Sequence, residues 1–340
     1  MSSDKNFPMK VLIIGLGSMG NRRLRLLREF FPDFQVAAVD CRADRREETF
    51  RKFSCPVYEG FEEGFSSFRP DAIIVSTPPD AHSEYVLFAL ESGIHSFSEL
   101  DLLDNGYEKY ITLEKQPSPV VFLSSTMLFR GENRWIGENH EKTGRKKLYT
   151  YHVGQYLPDW HPWEKYDEFF VGDSRTNALR EILCIELPWL TRSFGDVEDF
   201  RCRWGRISSL NLPYPDTCQI LLTHSGGTLG CLTLDCVSRQ AVRDMRIDGE
   251  KGMIRWQGTM ESLQFFAPGE APMTPLMDQR ALERHPGYAE FISEGPYLEE
   301  LRAFFDRIAG KAEKYKGYSY EEHRKILFLA DELENEWRSS

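Results

Sequence analysis

The sequence predicts an α/β fold in two domains, in which a parallel sheet covered by helices precedes an α+β domain with a mainly antiparallel sheet. Three observations predict it: an apolar run, Val11–Ile14, ends in a glycine-rich turn; helix-like and strand-like segments alternate up to about residue 125; and from about residue 146 short strand-like segments follow one another through tight turns. We therefore expect a first domain over 1–125 and a second over 126–340.

The first element is a buried strand that turns into a helix predicted over 18–30. Glycines at positions 15, 17 and 20 let the chain turn sharply and let a pyrophosphate approach the backbone. The helix would offer unpaired N–H groups and the positive end of its dipole to the phosphate charge. An ordinary buried turn is the alternative. The candidate phosphate contacts of this Rossmann-type turn are Gly15, Gly17, Ser18, Met19 and Gly20.

The second strand, Gln35–Val39, ends at Asp40, twenty residues after the last glycine of the turn. A carboxylate there accepts hydrogen bonds from ribose hydroxyls and repels a 2′-phosphate, which favours NAD over NADP. Arg42, Arg45 and Arg46 follow, and an arginine at this place could neutralise a 2′-phosphate, although such a run is also typical of a solvated helix start. The sequence predicts NAD, with Asp40 and Arg42 as contacts and NADP as the alternative.

The other elements of the first domain continue the alternation. We expect helices over 42–53 and 106–115 and strands over 57–58, 71–75, 94–98 and 120–124. Between them, Ser76, Thr77 and Pro78 stop the fourth strand. Asp80 is placed to cap a helix from about residue 81 to 92, and Gly93 to end it.

The second domain is expected to be a sheet crossed by one helix. We expect strands over 148–153, 200–207, 218–223, 228–236, 241–248, 253–257 and 263–266, and helices over 176–194, 297–309 and 319–337. Gly226-Gly227 predicts a hairpin between two of these strands.

Composition excludes several classes of protein. The 340 residues are 41% hydrophobic and 28% charged, as in ordinary globular proteins, and the net charge of -11 disfavours binding to nucleic acid or to anionic membranes. The polar start and the short first apolar run predict no signal peptide and a cytoplasmic location. The seven cysteines show no CxxC spacing, so we expect neither a zinc site nor a disulfide framework.

Residues 71–82, with the sequence DAIIVSTPPDAH, and 89–95, with the sequence ALESGIH, closely resemble the signature of the glucose-fructose oxidoreductase and inositol dehydrogenase family, Gfo/Idh/MocA. The resemblance implies a Rossmann domain followed by an open-faced sheet domain, through which members form homo-oligomers such as dimers or tetramers. It implies hydride transfer between nicotinamide and a hydroxyl or keto carbon of a sugar or nucleotide sugar. It also places Ser76, Thr77, Pro78 and His82 near the nicotinamide, with a helix-surface histidine as the alternative for His82.

Two positions depart from the family pattern. The family's lysine, in a Glu-Lys-Pro motif, aligns with Leu100, which follows Glu99, a candidate cofactor contact; the family's histidine on the crossing helix aligns with Ile185. Removing hydride from an alcohol requires a group that takes the hydroxyl proton, and neither aliphatic side chain can do so.

Replacement groups are available nearby. Glu186 lies in an otherwise apolar stretch, where a carboxylate is unfavourable unless it is paired or functional. The segment 154–166 adds Asp159 and His161, and its aromatic rings suit stacking on a substrate, with a surface loop pinned by its aromatics as the alternative. For Glu181 we weigh a ligand contact against a helix ion pair with Arg180. The candidate catalytic residues are Glu186, His161 and Asp159, and the candidate substrate contacts are Tyr156, Trp160, Trp163, Tyr166 and Glu181.

Two functions therefore remain open. The first is an NAD(P)-dependent oxidoreductase with atypical acid-base residues. The alternative is a non-catalytic, cofactor- or sugar-binding member that acts as the partner or regulator of an active homologue.

Overall fold

A computed structural model describes residues 8–160, 165–275, 293–311 and 317–339. The chain divides into two compact units: Met1–Ser125 with Tyr297–Arg324, and Thr126–Pro296 with Lys325–Ser340. The segment Tyr297–Arg324, expected in the second domain, thus groups with the first unit. The reason is packing, because Phe304 contacts Phe97 and Phe122 of the parallel sheet.

The described part of the first unit is a six-stranded parallel sheet with helices between its strands, as the sequence predicts. Its strands are β1 (Lys10–Ile14), β2 (Gln35–Val39), β3 (Val57–Tyr58), β4 (Ala72–Val75), β5 (His95–Ser98) and β6 (Val121–Leu123), and its helices are α1 (Ser18–Phe30), α2 (Ala43–Phe53), α3 (Phe61–Phe68), α4 (His82–Glu91) and α5 (Tyr107–Glu114). The spatial order is β3-β2-β1-β4-β5-β6. Every residue of β4 is buried, which explains its unbroken apolar sequence.

Two details of this unit differ from expectation. The expected cap at Asp80 is wrong: Pro79 begins a 3-10 turn, Pro79–Ala81, so that α4 starts at His82 with Ala81 at its N-cap position. Helix α3 was not predicted, although its phenylalanines recur at helical spacing. Gly93, with a φ of +68°, ends the α4 segment as predicted.

The described part of the second unit is built on a seven-stranded sheet. Its strands are β7 (Lys147–Gly154), β8 (Val197–Gly205), β9 (Thr217–His224), β10 (Leu229–Asp235), β11 (Val242–Gly249), β12 (Gly252–Trp256) and β13 (Gln264–Phe266). Its helices are α6 (Gly131–Asn139) and α7 (Ala178–Phe194). Two more helices follow later in the chain, α8 (Gly295–Ile308) and α9 (Tyr320–Arg338). The spatial order is β13-β12-β11-β7-β10-β9-β8. The predicted hairpin at Gly226-Gly227 joins β9 to β10.

This sheet is mainly antiparallel, as predicted, with one parallel pair between β7 and β10. Alternate residues of β7, among them Tyr149 and Tyr151, are buried in a core that includes Leu183 and Leu187 of α7. The burial follows the two-residue period of a strand, so the intervening residues form the opposite face of the sheet. Helix α6 was not predicted.

The strand order of the first unit determines where its site lies. Strand β1 separates β2 from β4, and the chain direction of the helical connections reverses at this point. In open parallel sheets, ligands bind at the carboxyl ends of the strands beside such a switch point. A ligand is therefore expected beside the residues that follow β1, β2, β4 and β5. Within the described residues, no helix is long and apolar enough to cross a membrane.

Candidate functional site

Two glycines of the turn after β1 are required by packing. Gly15 has a φ of +90°, and a Cβ there would lie 2.6 Å from the carbonyl oxygen of Ser76. A Cβ on Gly20 would lie 1.8 Å from the carbonyl oxygen of Gly15. Both distances are far below van der Waals contact, so only glycine lets α1 and β4 approach the turn this closely.

Gly17 differs from these two glycines. Among the described residues, only the Arg45 guanidinium comes within 4 Å of a Cβ built there, at 3.6 Å. Gly17 is the N-cap residue of α1, and no side chain caps the helix at this position. Open space at a helix N-terminus that no side chain caps fits the pyrophosphate of a dinucleotide. The residues present therefore fit the cofactor that the sequence predicts.

Asp40 connects the end of β2 to this turn. Its Oδ2 accepts a hydrogen bond from the N–H of Leu16 at 2.7 Å, and its Oδ1 accepts one from the N–H of Arg42 at 2.8 Å. The Arg45 guanidinium lies 3.7 Å from Oδ2. The carboxylate that would meet the ribose is thus held in place beside a cation.

The three arginines of this region have different partners. The side chain of Arg42 pairs with Asp44 at 2.6 Å. The side chain of Arg46 donates to the carbonyl oxygens of Asp40 and Cys41. Arg45 is the arginine that approaches both Gly17 and Asp40, so it is better placed than Arg42 to meet the phosphates.

The turn after β4 contains an unsatisfied hydroxyl. Within the described residues, the Oγ1 atom of Thr77 is buried and has no hydrogen-bond partner. Ser76 Oγ lies 3.4 Å from Oε1 of Glu99. A buried polar atom without a partner is unfavourable unless a ligand or a water supplies the missing bond. This observation supports the expected position of the nicotinamide half beside the Ser76–Pro78 turn.

His82 is buried, so the helix-surface alternative is wrong. Its Nε2 lies 2.8 Å from the carbonyl oxygen of Thr77, and its Nδ1 lies 2.6 Å from Oδ1 of Asp101. A carbonyl oxygen and an ionised carboxylate are both acceptors, so this arrangement favours the form of the ring in which both nitrogens donate, the imidazolium. Burial alone would lower the pKa of His82, but the hydrogen bond and the charge of Asp101 outweigh burial and raise it.

Asp101 is itself part of a larger network. Tyr107 donates its hydroxyl to Oδ2 of Asp101 at 3.0 Å, and Nε2 of His323 lies 2.8 Å from the carbonyl oxygen of Asp101. Asp101 stands where the resembling family has proline. The sequence shows this departure, but nothing local in it indicates the pairing with His82.

Glu99 is held by an arginine that the sequence reasoning missed. The Arg23 guanidinium binds Oε1 and Oε2 of Glu99 at 2.7 and 3.0 Å, and it also binds Oε2 of Glu300 at 2.7 Å. Ser124 and the N–H of Ser125 donate to the other oxygen of Glu300. Burial raises the pKa of Glu300 despite the attraction of Arg23. The sequence signal that could have indicated this pairing is the charge of Arg23 among the leucines of α1, which are buried.

In the second unit, Glu186 forms an ion pair in the core. It is fully buried; Oε2 accepts hydrogen bonds from the Tyr151 hydroxyl at 2.8 Å and from Trp189 Nε1 at 2.7 Å, and Oε1 binds the Arg243 guanidinium. Of the two explanations for a carboxylate in this stretch, pairing is the one that the structure shows. Both oxygens are occupied, which argues against Glu186 as the proton acceptor.

Glu181 has a different environment. Within the described residues, its Oε2 atom is buried without a hydrogen-bond partner, and burial raises the pKa of this carboxyl to about 7. The expected ion pair with Arg180 is wrong, because Arg180 binds Asp331 at 2.7 Å and Glu334 at 3.0 Å. Glu181 lies one helical turn before Ile185, on the same face of α7.

The segment 154–166 is partly described. His161 and Trp163 lie outside the described residues. Trp160 donates its indole N–H to the carbonyl oxygen of Gln155 at 3.1 Å, and the Tyr166 hydroxyl accepts a hydrogen bond from the N–H of Asn211 at 3.2 Å. These two aromatic residues therefore hold the chain in place, as the surface-loop alternative expects.

The other two described residues of this segment are more accessible. Asp159 is exposed at the end of the 3-10 turn Leu157–Asp159. Tyr156 is half-buried, and the Arg239 guanidinium lies 3.6 Å from the centre of its ring. In the part of the chain that the structure describes, no group of three or more His, Cys, Asp or Glu residues is placed to hold a metal ion.

The fold of the whole chain resembles those of several solved oxidoreductases. The WlbA dehydrogenase from Chromobacterium violaceum, solved with NADH and UDP-GlcNAcA, is 15% identical with a TM-score of 0.76, over 98% of this chain and 95% of that one. UDP-N-acetylglucosamine 3-dehydrogenase from Acidithiobacillus ferrooxidans is 15% identical with a TM-score of 0.71, over 96% and 97% of the two chains. Biliverdin reductase from Synechocystis, solved with biliverdin and NADP+, is 19% identical with a TM-score of 0.69, over 97% and 99%.

Sequence comparison identifies the first domain. No curated protein matches the chain. Residues 9–100 match the model of the Gfo/Idh/MocA family, described as an oxidoreductase family with an NAD-binding Rossmann fold. The match covers β1 to β5, the glycine-rich turn, Asp40, His82 and Glu99. Over residues 9–100 this chain is therefore similar to the Gfo/Idh/MocA oxidoreductase family and to its NAD-binding Rossmann fold.

Proposed function

We propose that the chain is an NAD(P)-dependent oxidoreductase that transfers hydride between nicotinamide and a hydroxyl or keto carbon of a sugar or nucleotide sugar. The observation that carries this proposal is the open cradle at Gly17, at the uncapped start of α1 and beside Asp40 and Arg45. Bound nicotinamide would supply the hydride acceptor or donor. The likeness in fold to two nucleotide-sugar dehydrogenases supports the substrate class.

The proton acceptor is the less obvious part of the reaction. The acids on either side of Leu100 are both engaged, Glu99 by Arg23 and Asp101 by His82. Glu186 is likewise engaged by Arg243. We assign the role to Glu181 instead, because a general base works best when its pKa lies near the working pH and burial raises the pKa of Glu181 to about 7.

The remaining candidates from the sequence keep secondary roles in this proposal. Asp159 is exposed, and its accessible carboxylate suits a substrate hydroxyl better than proton transfer in a water-free site. Tyr156 offers a ring face beside it, and His161 and Trp163 follow in the same segment. The second unit would thus recognise the substrate, while the first unit holds the cofactor.

Two measurements test the main proposal. NADH and NADPH titrations by fluorescence should show saturable binding to the purified chain. Sugars and nucleotide sugars are then screened, in both reaction directions, for a change in nicotinamide absorbance. Turnover that disappears in Glu181→Gln while NADH binding persists would support the assignment; the absence of binding by either coenzyme would refute it.

A non-catalytic role is the second candidate. The observation that favours it is that Leu100 and Ile185, both aliphatic, occupy the positions of the family's lysine and histidine. On this hypothesis the chain binds cofactor or sugar and regulates or completes an active homologue. Coenzyme binding without turnover of any sugar, in wild type and in Glu181→Gln alike, would favour it.

We further propose a homo-oligomer formed through the sheet of the second unit. Leu148, Leu221 and Leu229 are 46%, 59% and 54% exposed, and they lie on the neighbouring strands β7, β9 and β10. Leu148 and Leu229 are paired in register. Adjacent exposed leucines on one sheet face are typical of a protein interface. Light scattering should give an oligomer for wild type and a smaller species for Leu221→Lys.

A further inference from the structure

The turn between β10 and β11 is tied to the segment that follows β7. The N–H of Tyr156 donates to the carbonyl oxygen of Ser238 at 2.7 Å, and the N–H of Leu157 donates to that of Cys236 at 3.0 Å. Strands β7 and β10 are parallel, so both segments leave the sheet at the same end. The turn therefore borders the segment that we propose as the substrate contact.

One carboxylate holds this turn in a single conformation. Asp235 accepts hydrogen bonds from the N–H groups of Val237 and Ser238, at 2.9 and 2.7 Å, and from the Ser238 hydroxyl at 3.0 Å. His152 lies 2.6 Å from the same carboxylate. These contacts supply the Asp235 carboxylate with hydrogen bonds within the turn and fix the backbone next to the residue that follows Ser238.

That residue is Arg239, and its side chain lies against Tyr156. The guanidinium carbon is 3.6 Å from the centre of the tyrosine ring. Within the described residues, this ring is the partner of Arg239, which has no ion pair or hydrogen bond there. Arg239 is exposed to solvent, although the net charge of the chain is -11 and carboxylates that could pair with it are abundant.

The contact with the Tyr156 ring leaves the N–H groups of the Arg239 guanidinium available to a ligand. Contact with the ring uses its face, whereas its five N–H donors point outward in its plane. Carboxylate and phosphate oxygens match this planar edge and bind it in pairs. A guanidinium already held on an aromatic ring also loses less conformational freedom when it binds.

We propose that Arg239, held on Tyr156, binds an oxyanion of the substrate, so that the second unit selects sugar derivatives that carry a carboxylate or a phosphate. The inference rests on the proposed function, which places substrate recognition in this unit. It narrows the substrate class from sugars in general to anionic ones. The carboxylate of a uronic acid and the diphosphate of a nucleotide sugar share this chemistry.

Calorimetry with the full-length chain tests the proposal. UDP-glucuronic acid and UDP-glucose are titrated into wild type, Arg239→Gln, Arg239→Lys and Tyr156→Leu. We expect Arg239→Gln to weaken binding roughly tenfold or more. Arg239→Lys should restore part of the lost affinity, because it returns the charge without the planar edge. The affinity of Tyr156→Leu should lie between those of wild type and Arg239→Gln. Loss confined to UDP-glucuronic acid identifies the carboxylate as the group bound, and equal loss for both ligands identifies the diphosphate.

The matched control is Arg201→Gln, which removes an exposed arginine that pairs with Asp199 on β8. Unchanged affinity in Arg239→Gln, an equal loss in Arg201→Gln, or no binding of either ligand by wild type would overturn the proposal. A lower melting temperature of Arg239→Gln with unchanged affinities would show that the ring contact only joins the two segments. NADH titration of the same samples separates the two proposals. If wild type binds NADH and Arg239→Gln leaves the affinity for both UDP-sugars unchanged, this inference is refuted and the proposed function stands. If wild type does not bind NADH, the proposed function is refuted.

Discussion

The Nδ1 atom of His82 lies 2.6 Å from Oδ1 of Asp101. Because Nε2 of the same ring donates to the carbonyl oxygen of Thr77 at 2.8 Å, one buried histidine ring joins the segment after β5 to the turn after β4. Both segments lie at the carboxyl edge of the parallel sheet, where dinucleotides bind in this fold. The pair therefore fixes the backbone beside the unsatisfied hydroxyl of Thr77.

Breaking this pair should destabilise the first unit strongly. Asp101→Asn leaves a buried imidazolium without its counter-charge, and removing one partner of a buried ion pair typically costs about 3–5 kcal/mol. The free energy of unfolding in urea measures the effect. A loss below about 1 kcal/mol would contradict a buried ion pair and would indicate a neutral ring at this position.

The contribution of His82 should also depend on pH in a defined direction. Its pKa is raised in the folded chain above the ordinary 6.5, so its stabilisation is complete below 6.5 and is lost as the pH rises through the raised value. The difference in unfolding free energy between wild type and His82→Gln should therefore shrink as the pH rises. His95 is the control with the opposite sign: burial lowers its pKa, so its contribution is lost as the pH falls.

Replacing Gly17 should separate cofactor binding from folding. A Cβ on Gly17 meets only the Arg45 guanidinium, at 3.6 Å, among the described residues, so Gly17→Ala should fold with little change in melting temperature. The methyl group would occupy the space next to the phosphates and should lower NADH affinity roughly tenfold or more. Gly20→Ala is the contrast, because its Cβ would lie 1.8 Å from a backbone oxygen and should destabilise the domain itself. Unchanged NADH affinity in Gly17→Ala would argue against this cradle.

Arg45 should govern the choice between the two coenzymes. Its guanidinium lies 3.7 Å from the Asp40 carboxylate, where it can offset the repulsion between that carboxylate and a 2′-phosphate. Arg45→Gln should therefore weaken NADPH binding roughly tenfold more than NADH binding. Arg42→Gln is the control, because that side chain pairs with Asp44. An equal effect of both variants on both coenzymes would contradict the specific role of Arg45.

The parts that the sequence predicts well are those that depend on neighbouring residues. The glycine-rich turn, the strand that ends at Asp40 and the hairpin at Gly226-Gly227 are all local patterns. The pairs that decide which acids are available are not local: Arg23 binds Glu300 from 277 positions away. No spacing rule connects such residues, because the topology of the sheet brings them together.

Glutamate 181 shows the same limit for the candidate site. Its sequence context suggests a helix ion pair, but Arg180 is taken by Asp331 and Glu334 of α9. What distinguishes Glu181 is burial without a partner for Oε2 within the described residues, which only the packed structure reveals. The pKa of about 7 follows from that burial.

The two glutamates of α7 should respond in opposite ways to the same substitution. Glu181 has a folded pKa of about 7 against an ordinary 4.5, so folding favours its protonated form and the carboxylate destabilises the chain increasingly as the pH rises from 4.5 to 7. Glu181→Gln should therefore raise the free energy of unfolding above pH 7, by on the order of 3 kcal/mol at most, and leave it nearly unchanged below 4.5.

Glu186→Gln is the matched control, because it makes the same chemical change five residues along the helix in a residue paired with Arg243. Removing this charge leaves the arginine buried and unpaired, and it should lower the free energy of unfolding by about 3–5 kcal/mol at neutral pH.

If Glu181 is the proton acceptor, Glu181→Gln is stable but inactive, and wild-type oxidation of substrate rises with pH through about 7 as the carboxyl ionises. Urea unfolding at several pH values, together with the pH profile of turnover, measures both effects. A Glu181→Gln variant that is destabilised at pH 8, or that turns over substrate at the wild-type rate, would assign Glu181 to the core and leave the proton to another group.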